Sequence, residues 1–91
     1  MTDGEYIEYY ISGVIKYKCN YLDGKRNGEY IQYFISGVIK YKCNYIDDEV
    51  HGESIYYYIS GNIISKYYHI SGEMVTELEY NRNLKLDLLG L

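Results

Sequence analysis

Cys19, Cys43, His51 and His69 are the side chains of this chain best suited to thiol, metal or acid–base chemistry. Neither histidine has a cysteine or carboxylate partner at a ligand-like spacing such as Cys-x-x-Cys or His-x-x-x-His. His51 sits among turn-forming residues, and His69 stands where earlier copies of the same segment carry tyrosine. A solvated and a packed imidazole are therefore expected, with no catalytic, cofactor or metal residue. Gly28 and Gly52 open strands, not helices, so no phosphate-cradling loop is expected either. On these grounds the chain does not read as an enzyme. Lys18, Lys42 and Lys66 form a column with Lys16 and Lys40 beside it, and such a column could track an anion or a lipid surface. It could equally keep one sheet face soluble by pairing across strands with Glu5, Glu29 and Glu53.

These residues recur because the chain repeats itself. Gly4 to Tyr21 returns as Gly28 to Tyr45 with only Glu8/Gln32 and Tyr10/Phe34 changed, and returns in degenerate form as Gly52 to His69, at a constant spacing of 24 residues. A short fixed period makes each unit one supersecondary element that buries its apolar side mainly against its neighbours. Each unit splits at Ser12-Gly13, Ser36-Gly37 or Ser60-Gly61 into two runs rich in Ile, Tyr and Val, which predicts a β-hairpin. Asp23 to Gly28 and Asp47 to Gly52 read as the turns between hairpins.

The second run alternates cleanly, with Ile15, Tyr17, Cys19 and Tyr21 on one side and Val14, Lys16, Lys18 and Asn20 on the other. The first run is apolar on both sides. A two-residue loop would join its Tyr6/Tyr10 set to the Ile15/Tyr17 face. A three-residue loop with a glycine bulge would pair Tyr10 with Val14 and join Ile7/Tyr9 instead. The bulged form is favoured here because it gathers the invariant Ile-Tyr-Ile set. Equivalent strands would lie about 9.6 Å apart, beyond the roughly 7 Å that a disulfide allows, so Cys19 and Cys43 should stay free within one sheet.

With 91 residues and a formal net charge of −4, the chain is one small domain with little drive toward nucleic acid or anionic lipid. No apolar run approaches the roughly 18 residues of a membrane span, and the start lacks a signal-peptide pattern, so an intracellular, cytoplasmic protein is expected. Absence of Pro and Ala beside abundant Ile, Tyr, Lys and Asn suits an AT-rich genome, such as that of a low-GC bacterium or a large DNA virus.

The order of turn, glycine, aromatic strand, small-Gly turn and strand resembles the MORN repeat, most closely its variant in YwqK-type proteins. Asp23-Gly-Lys-Arg-Asn-Gly-Glu-Tyr30, Tyr33-Phe34 and Ser36-Gly37 carry the resemblance, which covers residues 4–72. The Asp48-Glu-Val-His51 loop departs from it, and the tail from Glu73 lies outside it. The resemblance implies an all-β protein, a row of β-hairpins in one elongated twisted antiparallel sheet. It implies a scaffolding or protein-binding role, sometimes as a homodimer, with lipid binding or an antitoxin-like neutralising role as alternatives. Units 4–27, 28–51 and 52–72 would form the repeat domain within residues 1–72, and 73–91 would cap it with two strands, Val75 to Tyr80 and Leu84 to Leu88.

Fifteen tyrosines concentrate the remaining interest. A single-layer sheet cannot cover both faces with its own chain, and tyrosine offers large contact area with few rotamers to freeze. Tyr6, Tyr10, Tyr30, Phe34, Tyr56 and Tyr58 are the candidate protein-binding residues, to be covered by a second copy or by a protein partner. Lys18, Lys42 and Lys66 are the secondary, anion- or lipid-binding candidates.

Overall fold

β-Branched and aromatic residues on both sides of each Ser-Gly pair extend into strands, and the three units become three hairpins. The computed structural model describes residues 3–90. Its elements are β1 (Gly4–Tyr9), β2 (Ile15–Leu22), β3 (Lys25–Arg26), β4 (Gly28–Tyr33), β5 (Ile39–Ile46), β6 (Glu49–Val50), β7 (Gly52–Tyr57), β8 (Ile63–Ile70), β9 (Glu73–Val75) and the helix α1 (Glu77–Leu88). One antiparallel sheet runs β1-β2-β4-β5-β7-β8-β9, with β3 paired to β2 and β6 to β5. The expected unclosed, twisted hairpin sheet is what the chain forms.

The loops take the three-residue form. Tyr10, Phe34 and Tyr58 donate their N–H to the carbonyls of Val14, Val38 and Asn62 at 2.8 Å. The faces that follow are nevertheless the opposite of those expected from that loop. Tyr9 pairs with Ile15, but Glu8 pairs with Tyr17, so Lys16 is an extra residue in β2. Lys40 and Ile64 are the corresponding extra residues in β5 and β8. One inserted residue reverses the pleat relation for the rest of the hairpin. Tyr6 therefore lies opposite Cys19 and Tyr30 opposite Cys43, while Ile7 lies opposite Lys18.

The core is correspondingly small. Among the described residues the buried apolar set is Cys19, Ile31, Cys43 and Ile55, joined by Ser54. Ile31 lies between Lys18 of β2 and Lys42 of β5, and Ile55 between Lys42 and Lys66 of β8. Lysine stems can cover apolar surface while their ammonium groups stay wet. That arrangement places the isoleucines under the lysine column. The accessible surface of 6318 Å² exceeds the about 5500 Å² that surface scaling gives for a compact protein of 10.8 kDa. The molecule is a ribbon, 48 × 34 × 18 Å.

The stretches between hairpins are more ordered than simple turns. Asp23-Gly24, Asp47-Asp48 and Ser71-Gly72 all have both residues at positive φ, as a two-residue primed hairpin turn requires. Short strands β3, β6 and β9 then run back along the ends of β2, β5 and β8. Successive tips are tied together: Asp48 N–H donates to the Arg26 carbonyl at 2.9 Å and Gly72 N–H to the Val50 carbonyl at 3.0 Å. At the first tip the Asp3 carboxylate accepts from Gly24 N–H at 3.3 Å. Arg26 N–H donates to Asp48 Oδ1 at 2.8 Å, which holds that carboxyl below its usual range.

The tail corrects the expectation of capping strands. Residues 77–88 are helical, and of the two expected strands neither Val75 to Tyr80 nor Leu84 to Leu88 forms; only the short strand β9 precedes the helix. The 24-residue period explains where the change occurs. Gly4, Gly28 and Gly52 open the first strand of each hairpin at φ 108°, 94° and 91°, and the next residue in that series is Thr76, at φ −74°. A β-branched residue avoids the positive-φ conformation that launches a strand here. Thr76 instead caps a helix, its Oγ1 accepting from Glu79 N–H at 3.1 Å while Glu79 Oε1 accepts from Thr76 N–H at 3.5 Å. Thr76→Ala should cost about 1 kcal/mol of local helix stability, read as roughly fivefold faster amide exchange over residues 77–80.

Candidate interaction face

The inserted Lys16 and Lys40 turn the tyrosines of both strands toward one side, where their rings meet in a ladder. Ring centroids are 5.8 Å apart for Tyr6–Tyr17, 6.0 Å for Tyr17–Tyr30, 6.2 Å for Tyr30–Tyr41, 4.5 Å for Tyr41–Tyr56 and 6.2 Å for Tyr56–Tyr67. Six rings thus cross all three hairpins. Offset and edge-on pairs at these separations are favourable beyond their area burial. The ladder remains wet at its margins, with Tyr6 46 % and Tyr56 43 % exposed.

Of the six residues singled out in the sequence, Tyr6, Tyr30 and Tyr56 belong to this ladder. Tyr10, Phe34 and Tyr58 stand one per hairpin at the base of the three-residue loops. Tyr10 donates its hydroxyl to the Tyr33 carbonyl at 2.7 Å, bridging two hairpins. Lys16 and Lys40 place their ammonium groups 5.9 Å from the Tyr10 ring and 5.8 Å from the Phe34 ring, within reach of cation–π attraction. Tyr10, Lys16, Tyr17, Gln32, Tyr33 and Lys40 line one groove, so the loop-end rings continue into the ladder between the first two hairpins. Tyr17, Tyr41 and Tyr67 complete the ladder and were not singled out. Their membership depends on the bulge, which has no distinctive residue of its own.

The buried rings of the ladder are neutral. Burial, aided by a hydrogen bond with Tyr6, pushes the Tyr17 phenol up to about 12, and burial raises Tyr41 as well. Both keep their protons through the physiological range, so the ladder offers rings and hydroxyls, not phenolates. Cys43 is buried beneath it, and burial raises its thiol. Native-state alkylation of Cys43 at pH 8 should run at least about tenfold slower than in urea, as followed by intact-mass spectrometry.

The lysine column lies on the other side. Lys18, Lys42 and Lys66 face the Ile7, Ile31 and Ile55 positions across their hairpins. Lys66 Nζ sits 3.2 Å from Glu53 Oε1, and its hydrogen bond to that carboxylate raises it further. The structure keeps the tyrosine and lysine candidates apart on opposite faces. Among the described residues no three His, Cys, Asp or Glu side chains are placed to share a metal ion. No helix among the described residues is long and apolar enough to cross a membrane. No family model, curated protein or solved structure matches the chain.

Proposed function

We propose that this chain is a MORN-like repeat module whose tyrosine face binds protein, either a second copy or another chain. The observation that carries the reading is the ring ladder. Six tyrosines are aligned on one face of the sheet, and Tyr58, at the base of the third loop, is 55 % exposed. Aromatic rings held rigid by their neighbours lose little entropy on binding, and tyrosine is enriched at such surfaces for that reason. The lysine column supports a lipid reading less well, because its stems cover isoleucines and Lys66 is already paired with Glu53.

Affinity purification from the native source tests the reading, using the wild-type chain and a Tyr10/Phe34/Tyr58→Ser triple variant. A defined set of proteins should be retained by the first and lost by the second. Equal retention by a folded variant would remove the loop-end rings of the tyrosine face from the binding surface.

A further inference from the structure

The third hairpin departs from the other two at the positions that carry rings. Ser54, Ser65 and His69 replace Tyr30, Tyr41 and Tyr45 of the second unit; Tyr56 and Tyr67 are gained on the same face, and Tyr68 on the other. In the second unit Tyr30 packs against Tyr41 at 6.2 Å and Tyr45 at 5.7 Å. In the third a cleft of about 480 Å³ opens, walled by Tyr41, Tyr56, Tyr67 and Met74 together with the three smaller residues. That volume lies in the range of about 300–1,000 Å³ that holds small ligands and anchoring side chains.

The edge beside this cleft also has no strand partner at Ser65 and Lys66 among the described residues, although α1 packs against β8 nearby, with Tyr80 5.1 Å from Tyr68. β2 receives β4 through Tyr17–Gln32 and Lys18–Ile31, and β5 receives β7 through Tyr41–Tyr56 and Lys42–Ile55. The same positions of β8, Ser65 and Lys66, have strand partners only on their β7 side, because β9 joins β8 only from Tyr68 to Ile70. An unpaired strand edge is a template for an added strand. A strand added in the register of the two existing interfaces would continue the sheet. Where Tyr30 of β4 stacks on Tyr17 of β2 at 6.0 Å, the matching residue of the added strand would lie over Ser65, which has no ring.

We infer that the Ile63–Tyr67 edge of β8 and the adjoining cleft form the anchor site for an extended partner segment carrying a tyrosine. This inference rests on the protein-binding reading above and names the chemistry of what is bound. Three features select that chemistry. The β2–β4 interface puts the Tyr30 ring at the equivalent place, and the first two units carry tyrosine where this one has Ser54 and Ser65. No Asp, Glu, Lys or Arg lines the cleft, so a neutral group fits it. Ser54 and Ser65 put hydroxyls in the cleft wall, with Ser54 Oγ 3.1 Å from His69 Nε2. A phenol both donates and accepts, so it can pair with such a hydroxyl whichever way its proton points. A phenylalanine could not.

Glu8 argues against β1 of a second copy as the added strand. It puts a carboxylate on an edge strand where the inner strands β4 and β7 have Gln32 and Tyr56, and inward-pointing charge discourages edge pairing. Lys66 on the open edge of each copy discourages β8 from pairing with itself in the same way, so the occupant is assigned to a segment of another protein.

NMR titration of the full chain tests this with two probes, p-cresol and a peptide of residues 27–35, the strand that β2 itself accepts. p-Cresol should shift Ser54, Ser65, Tyr67, His69 and Met74 with millimolar affinity. The peptide should bind at least about tenfold tighter and shift the amides of Ile63–Tyr67, and its Tyr30→Ala version should lose that gain. Ser54→Tyr and Ser65→Tyr each restore the residue of the other units. Either should fill the cleft and weaken p-cresol at least about tenfold, with the fold retained.

No p-cresol shift at the cleft, or unchanged affinity in both variants, overturns the ring site. p-Cresol binding without a gain for the peptide overturns the added strand. Neither result bears on the triple variant at Tyr10, Phe34 and Tyr58, so the general binding reading stands or falls separately.

Discussion

Gly52→Ala is expected to destabilise the protein by about 1–3 kcal/mol, the strain of holding a side chain in a backbone region that glycine alone populates freely. Gly52 is buried at φ 91°, and a methyl added there would stand 3.4 Å from Tyr80 Oη, so it meets the helix as well as its own backbone. Gly4→Ala is the control. It has similar φ, at 108°, but open space around it and one free side of the sheet, and its substitution should fray only β1. Urea denaturation followed by circular dichroism separates the two. Domains of this size have few kcal/mol in hand, so Gly52→Ala should shift the midpoint visibly while Gly4→Ala changes it little. Equal shifts would mean that the strand-entry conformation, not contact with the cap, sets the penalty.

Ile31→Ala should cost about 2–3 kcal/mol, at the lower end for isoleucine truncation because lysine stems can settle partly into the space. Ile31 is 7 % exposed and flanked by Lys18 and Lys42, whereas Ile35, four residues on, is 58 % exposed at the loop. Ile35→Ala should be close to neutral. Both residues belong to one invariant Ile-Tyr-Ile set, and periodicity alone ranks them equally. The contrast tests whether the inserted Lys40, which fixes the register, sits where the structure has it.

Those two isoleucines show what could be read in the residues and what could not. The hairpins were legible because β-branched and aromatic runs break at Ser-Gly every 24 residues. Which side each run presents was not, because Lys16 and Lys40 look like any other solvent-facing lysine and a bulge there needs no special side chain. The ring face was legible in Tyr6, Tyr30 and Tyr56 but not in Tyr17, Tyr41 and Tyr67, which join it only through that bulge.

The helix had a signal that the tail's alternation masked. Leu84-Lys-Leu-Asp-Leu88 repeats with the period of a strand, yet Thr76 and Glu79 stand at capping-box spacing ahead of good helix formers. No residue of α1 is fully buried, so its apolar pattern carries no record of a packed helical face. Local capping, together with loss of the strand-entry glycine, decided its conformation.

Hydroxyl-radical footprinting of the tyrosines, with the chain free and then in its purified assembly, tests the claim that the ring ladder is the covered face. Free protein should be oxidised readily at Tyr6, Tyr56 and Tyr58, and at Tyr9, which is 57 % exposed and next along β1 on the opposite side. In the assembly the first three should be protected severalfold while Tyr9 stays reactive. Protection of Tyr9 with Tyr6, Tyr56 and Tyr58 left open would contradict the account and move the interface to the lysine side.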